Sequence, residues 1–248
     1  MSEPILSIIV PVFNEERRIP KNAERIFSYF SKCSFSYELI FVNDGSRDST
    51  QQLLNVLEKE HACTSIQYTP NRGKGYAIRQ GVFAARGTYV LFFDIDLATP
   101  LETIDAVIPL LQDKKPAVII GNRRLLASSI RESESPTRTF LGNGYALLSR
   151  VFVPEVTDFT CGFKCFRADA AQKIFSHARI ERWVFDTEIL FLARHFGFPI
   201  VQIPIQWTHD RDSRVRVLRD VLSSLLELSK MVLYLISGTY RTPTKPTP

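Results

Sequence analysis

The chain has 248 residues, 45% of them hydrophobic and 23% charged, which excludes wholesale disorder and leaves room for a sizeable core. Its 31 Lys and Arg against 26 Asp and Glu give a net charge of +5, too mild to argue for nucleic-acid binding. Four cysteines make no disulfide framework at this length and point to a reducing compartment.

The start, MSEPILSIIVPVFNEE, has no basic leader, and its apolar run from Ile5 to Val12 ends in an acidic turn. That is the grammar of a first strand, not of a signal peptide. Asn14-Glu15-Glu16 then opens a helical pattern through Ile26, Phe27 and Phe30. A second run, Leu39 to Val42, ends at Asn43-Asp44-Gly45-Ser46 before a helix carrying Leu53, Leu54 and Leu57. A weaker strand near Ser65 to Tyr68 stops at Pro70-Asn71-Arg72-Gly73, and the next helix holds Ala77, Ile78, Gly81 and Ala84. Tyr89 to Phe93 is the fourth run; it ends in Asp94-Ile95-Asp96, with a helix from about Thr99 to Gln112. Short apolar runs alternating with helices predict an α/β fold with a mostly parallel central sheet and helices on both faces. Ligands of such sheets bind beyond the carboxyl ends of the strands, which is where the acidic and amide residues fall.

After Ala117 to Ile120 the pattern loosens, and residues 122 to 138 read as a mobile basic loop. A helix is expected near Phe140 to Phe152, then a Cys/Gly/Phe segment from Asp158 to Arg167, a helix near Thr187 to His195 and an apolar run from Ile200 to Trp207. From Val215 to Ile236, Val215, Leu218, Leu222, Leu225, Leu228 (or Ser229) and Val232 recur at helical spacing, with Arg216, Arg219, Glu227 and Lys230 off that stripe. Such a helix either packs on the core or lies in a bilayer interface. No stretch approaches the roughly 18 to 20 apolar residues of a membrane span, so the chain reads as soluble or peripheral. The organisation expected is one domain over 1–212, an amphipathic helix over 213–240 and a flexible tail over 241–248.

Asp94 and Asp96 form the sharpest constellation. Residues i and i+2 of an extended chain point the same way, and two hard oxygen donors beyond a buried strand suit Mg²⁺ or Mn²⁺ shared with a diphosphate; a turn and helix cap is the plain alternative. Asp44 suits a base or ribose edge, or a strand-ending turn. Glu15 is a site residue or first-turn helix charge. The Asn71-Arg72-Gly73-Lys74-Gly75 loop allows close backbone approach to a phosphate without matching a P-loop or dinucleotide fingerprint. Arg123, Arg124, Arg131 and Arg138 match phosphate oxygens bidentately, although Glu132 and Glu134 among them also fit a plain surface loop. Cys161 and Cys165 read as structural.

Taken together, the SIIVPVFNEE start and the VNDGS, NRGKGYA and DID segments resemble a family 2 glycosyltransferase of GT-A fold. The chain is similar to the dolichyl-phosphate glucose and mannose synthase group within it. Asp158-Phe-Thr-Cys161-Gly-Phe-Lys164, Glu181-Arg-Trp183-Val-Phe-Asp186-Thr-Glu188 and Ile203-Pro-Ile-Gln-Trp207 look more like the glucose synthases. The resemblance runs from about Ile5 to about Lys230.

It implies a metal-dependent inverting transfer of glucose from UDP-glucose to polyprenyl phosphate. Pro11, Phe13 and Glu15 would line the nucleotide at the first strand end, and Asp44 would contact base or ribose. Asp94 and Asp96 would occupy the DXD position that holds metal and donor diphosphate. Arg123 and Arg138 match the arginines that receive the acceptor phosphate, and Arg214 aligns with a basic residue near the donor phosphates. Asp186 sits where many members carry a base, with Glu188 nearby; with an acceptor already anionic, orientation or arginine pairing is the role expected of Asp186. Ala98 departs from the pattern, because the mannose synthases carry a Gln there. A lipid acceptor places the last helix, with the loop at 125 to 140, on the cytoplasmic face of a membrane. GDP-mannose as donor is the nearest rival reading, followed by transfer to a saccharide and by a non-catalytic nucleotide-binding module.

Overall fold

The computed structural model describes residues 3–113, 116–132, 136–208 and 217–240. In chain order the elements are β1 (Leu6–Val12), α1 (Ile19–Phe30), β2 (Tyr37–Asp44), α2 (Thr50–Glu60), β3 (Cys63–Tyr68), α3 (Lys74–Ala84), β4 (Tyr89–Phe92) and α4 (Thr103–Gln112). They continue with β5 (Val118–Asn122), β6 (Ser129–Glu132), α5 (Pro136–Ser149), β7 (Lys164–Arg167), α6 (Ala168–His177), α7 (Phe185–His195), β8 (Ile200–Pro204), β9 (Gln206–Thr208) and α8 (Val217–Ile236).

β1 is apolar along its length because both its faces are covered: Ile8 and Val10 enter one core and Ile9 the other. Among the described residues the main sheet runs β3-β2-β1-β4-β7-β5-β8. Its pairings are parallel except where β7 lies antiparallel between β4 and β5. Two consequences position the site. The strand order reverses between β1 and β4, opening a crevice at their carboxyl ends. The antiparallel β7 starts where its neighbours end, since Lys164 pairs with Phe92 on one side and Ile120 on the other. Its first residues are therefore delivered to the same crevice.

The mostly parallel sheet and the first four strand–helix units are as the sequence predicts. The second half differs. The segment expected as a basic loop contains β6, paired with β9 across a long stretch of chain, and α5 begins at Pro136; strands of three or four residues set by distant partners leave no periodic signal. β7 and α6 also went unpredicted. Among the described side chains of α8 the buried positions are Glu227, Met231 and Leu228 of the expected stripe, whereas Leu225 and Val232 of that stripe are exposed with Leu226, Leu233, Leu235 and Ile236. The helix is apolar on more than one side, and of the stripe only Leu225, Leu228 and Val232 have described side chains; Val215 lies outside the described residues. Tyr240, just beyond α8, is fully buried. Residues 241–248 lie outside the described residues.

Candidate active site

β4 ends at Phe92, so Asp94 and Asp96 stand beyond the strand, not within it. The chain turns there: Leu97 N–H donates to the Asp94 carbonyl at 3.1 Å, and Leu97 takes a φ of +52°. A branched side chain is unusual in that left-handed region and needs the surroundings to hold it. Asn22 of α1 helps by donating to the Ile95 carbonyl at 2.8 Å, and Asp96 Oδ1 accepts from Ala98 N–H at 3.0 Å. The two carboxylates remain mutually close, by a turn instead of the extended spacing read from sequence. Burial and the Asp94 charge together push the Asp96 carboxyl up to about 6, against the Ala98 N–H and the Lys74 and Arg18 charges.

Lys74, the first residue of α3, pairs with Asp94 Oδ1 at 2.5 Å. Burial works to lower the Lys74 ammonium, but the Asp94 and Asp186 carboxylates outweigh it and hold Lys74 above its ordinary value. The loop leading into Lys74 is fastened by Asp44. One Asp44 oxygen accepts from Arg72 N–H at 2.8 Å, and the other accepts from the Asn71 side chain at 2.7 Å and Gly73 N–H at 2.8 Å. Asp44 is thus the brace of the Asn71–Gly75 loop. Gly73 has a φ of +118°, and a Cβ on it would lie 2.6 Å from the Glu181 carbonyl oxygen. A Cβ on Gly75 would meet Phe185 Cβ at 2.5 Å. The loop therefore rests directly on the segment that leads into α7.

On the other side of the crevice, Arg123 follows β5 and forks onto Asp158: Nε to Oδ2 at 2.7 Å and Nη2 to Oδ1 at 2.8 Å, with a further bond from Nη2 to Thr160 Oγ1 at 2.8 Å. Burial alone would raise the Asp158 carboxyl, but Arg123 outweighs it and holds Asp158 below the usual carboxylate range. From Asp158 the chain runs straight to Lys164, whose side chain is fully buried. Its three ammonium donors go to Asp186 Oδ1 at 2.5 Å, the Phe159 carbonyl at 2.9 Å and the Cys161 carbonyl at 2.7 Å. Burial raises the Asp186 carboxyl, opposed by the Lys164 and Lys74 charges. Between those anchors lies Gly162, where any Cβ would overlap Asp94 Oδ2. One short segment, Asp158 to Lys164, therefore touches Arg123, Asp94 and Asp186 at once.

The predicted residues thus separate. Asp94, Asp96 and Asp186 converge, linked through Lys74 and Lys164, and Asp44 braces the same edge. Pro11 and Phe13 lie at the end of β1, where Phe13 is exposed, and Glu15 is held by both its oxygens on Arg18 at 3.0 Å. Of the two roles expected of Asp186, orientation or arginine pairing, the side chain it pairs with is Lys164 and not an arginine. Glu188 turns away from Asp186, accepting from the backbone N–H groups of Arg179 and Ile180 and from the Tyr240 hydroxyl. Arg138 belongs to α5, and Arg214 lies outside the described residues. Sequence reasoning missed Lys164 and Lys74 as charged partners. The signal was present in Cys161-Gly-Phe-Lys164-Cys-Phe: a lysine among residues too apolar for a surface strand must find a buried carboxylate.

The fold has known counterparts. Glycosyl transferase family 2 matches residues 7–175, and the chain belongs to that family. A dolichyl-phosphate beta-glucosyltransferase of Homo sapiens is 35% identical over 224 residues, covering 85% of this chain and 69% of that protein. The enzyme of the same name from Drosophila melanogaster is 34% identical with the same coverage. Among solved structures, glucosyl-3-phosphoglycerate synthase of Mycobacterium tuberculosis, in complex with Mn²⁺, UDP-glucose and phosphoglyceric acid, superposes with a TM-score of 0.62 at 19% identity, over 90% of this chain and 79% of that one. The fold is GT-A, as the sequence predicts.

Proposed function

We propose that this glycosyltransferase moves glucose from UDP-glucose to a polyprenyl (dolichyl-type) phosphate with inversion, giving a β-linked polyprenyl phosphate glucose. The names of the relatives support the sugar and the acceptor over GDP-mannose and over saccharides, and the UDP-glucose-bound neighbour supports the donor. One geometric observation carries the acceptor class. Asp186, at the family's base position, has Oδ1 engaged by the buried Lys164 ammonium at 2.5 Å. An alcohol acceptor needs a base that its hydroxyl can reach, and the Asp186 side chain is only 8% exposed, whereas a phosphate monoester brings its nucleophilic oxygen already deprotonated and needs only placement.

Arg123, steadied by Asp158, and Arg138 would place the acceptor phosphate beside the sugar's anomeric carbon, with Arg214 toward the donor phosphates. Pro11, Phe13, Glu15 and Asp44 would line the nucleoside. Asp94 and Asp96 suit a divalent cation, Mg²⁺ or Mn²⁺: they are hard oxygen donors whose mutual repulsion a cation relieves. Among the described residues no further His, Cys, Asp or Glu joins them in a metal-holding group, so diphosphate oxygens and water would complete the shell. When bound, the cation would neutralise charge developing on the leaving diphosphate. Lys74 orients Asp94 for that task.

A lipid acceptor calls for a membrane surface, and the cytoplasmic face is where a nucleotide sugar would be met. Among the described residues no helix is long and apolar enough to cross a membrane. α8 instead exposes Leu226, Leu233 and Ile236, and α5 exposes Leu147, an apolar surface suited to interfacial contact. The test is incubation of the full chain with a short-chain polyprenyl phosphate, Mg²⁺, and UDP-glucose or GDP-mannose in parallel, followed by mass analysis of the lipid. A hexose-lipid from UDP-glucose alone, abolished by a chelator and restored by Mg²⁺ or Mn²⁺, is the expected outcome. Product from GDP-mannose alone, or from neither donor, overturns the reading; full activity in chelator removes the metal from it. Failure to co-sediment with anionic liposomes would remove the membrane surface.

A further inference from the structure

α7, which carries Asp186 in its first turn, has no side-chain cap from its own flanking residues: its N-cap is Val184. A first turn buried in this way leaves backbone N–H groups that need acceptors. The acceptor comes from α8. Glu227 Oε2 accepts the Val184 N–H at 3.0 Å, and both residues are buried. Farther along, the Tyr240 hydroxyl beyond α8 donates to Glu188 of α7 at 2.6 Å. The C-terminal helix is thus fastened twice to the helix of Asp186.

We propose that Glu227 is a positioning residue of the active site, acting through Val184; the claim rests on the glycosyltransferase reading above. The segment it holds supports the site on two sides. Arg72 pairs with Glu181, Tyr76 N–H donates to the Glu181 carbonyl at 3.1 Å, and Gly73 and Gly75 press on Glu181 and Phe185. That loop delivers Lys74 to Asp94, while Asp186 leaves the same segment toward Lys164. Removing the acceptor under Val184 releases the support of both pairs at once, although Glu227 touches neither.

The test compares full-length Glu227→Ala and Glu227→Gln in detergent, with UDP-glucose and short-chain polyprenyl phosphate, well below either melting temperature. E227A is expected to lose about tenfold in kcat, the effect of one lost cap bond. E227Q, whose amide oxygen accepts the same N–H, is expected to stay within about threefold. Amide exchange over residues 181–185 should quicken in E227A and not in E227Q. An E227A protein with a lower melting temperature but unchanged kcat overturns the proposal, since Glu227 would then be structural alone; E227Q falling as far as E227A overturns it too, since the charge would be what matters. If wild type turns over no donor, the reaction assigned above fails, and exchange at 181–185 still decides the cap: unchanged exchange in E227A refutes it.

Discussion

Two lysine–aspartate pairs stand in the crevice at the same 2.5 Å, and they are built for different ends. Lys74 and Asp94, at the start of α3 and just beyond β4, have side chains 28% and 36% exposed. Lys164 and Asp186, at the junction of β7 and α7, are 0% and 8% exposed. An open pair can change partners when a charged ligand arrives, because water or the ligand supplies the lost bonds. A sealed pair cannot, because an unpartnered charge in the interior costs far more than the pair itself contributes. The Lys164 pair also ties down two carbonyls of the Asp158–Lys164 segment, so it belongs to the architecture that presents Asp94 and Arg123. The Lys74 pair stands at the open edge where the proposed function places the donor.

Breaking each pair should separate the two roles. Lys164→Met leaves Asp186 buried without a counter-charge and two carbonyls without a donor, an expected loss of about 3–5 kcal/mol in urea denaturation. Lys74→Met removes a partly open pair and should cost under about 1 kcal/mol, with the damage appearing in turnover. Equal losses from the two variants would erase the contrast.

A slightly smaller effect, on activity alone, sharpens it. Asp96→Asn should lower kcat about 100-fold or more, near 2.7 kcal/mol, the scale of removing one electrostatic stabiliser from a transition state. Its stability should be equal to or slightly above wild type at neutral pH. The sign follows from the carboxyl's rise to about 6: an acid whose folded pKa exceeds its unfolded value destabilises the fold when ionised, and Asn removes that ionisation while still accepting from Ala98 N–H. A variant both inactive and strongly destabilised would show that Asp96 belongs to the sealed class.

The same distinction explains how much could be read from the sequence. Strand ends in a parallel sheet announce themselves, since an apolar run that stops at Asn43-Asp44 or Asp94-Ile95-Asp96 needs no distant partner to be recognised. That strand-end edge was therefore legible as a place, down to Asp44, Asp94 and Asp96. The other side is made by pairs far apart in the chain: Arg123 with Asp158, Lys164 with Asp186, Val184 with Glu227. No local pattern marks which carboxylate a lysine will find. Glu227 misled for the same reason, because an acid beside a leucine stripe looks like a solvated face until the N–H that it caps is placed. β7 was invisible because four residues, pinned by neighbours on both sides, have too short a period to detect.

A more modest effect than that of Lys164 or Asp96 concerns Asp158, and it discriminates through pH. Arg123 holds this carboxyl below its ordinary value, so the pair contributes stability that is fully present above the unfolded pKa of about 3.9 and is lost as pH falls through the lower folded value. Asp158→Asn keeps an acceptor for Arg123 and discards the charge, at a cost of about 1–2 kcal/mol at neutral pH. Measured by urea denaturation from pH 7 to pH 3, the gap between wild type and D158N should stay constant down to about pH 4 and close only below it. The subtraction cancels every other carboxylate that titrates in that range. A gap that closes already between about pH 5 and 6, above the ordinary range of an aspartate, would mean that burial, not Arg123, governs this carboxyl, and the arginine would then not be anchored as the acceptor reading requires.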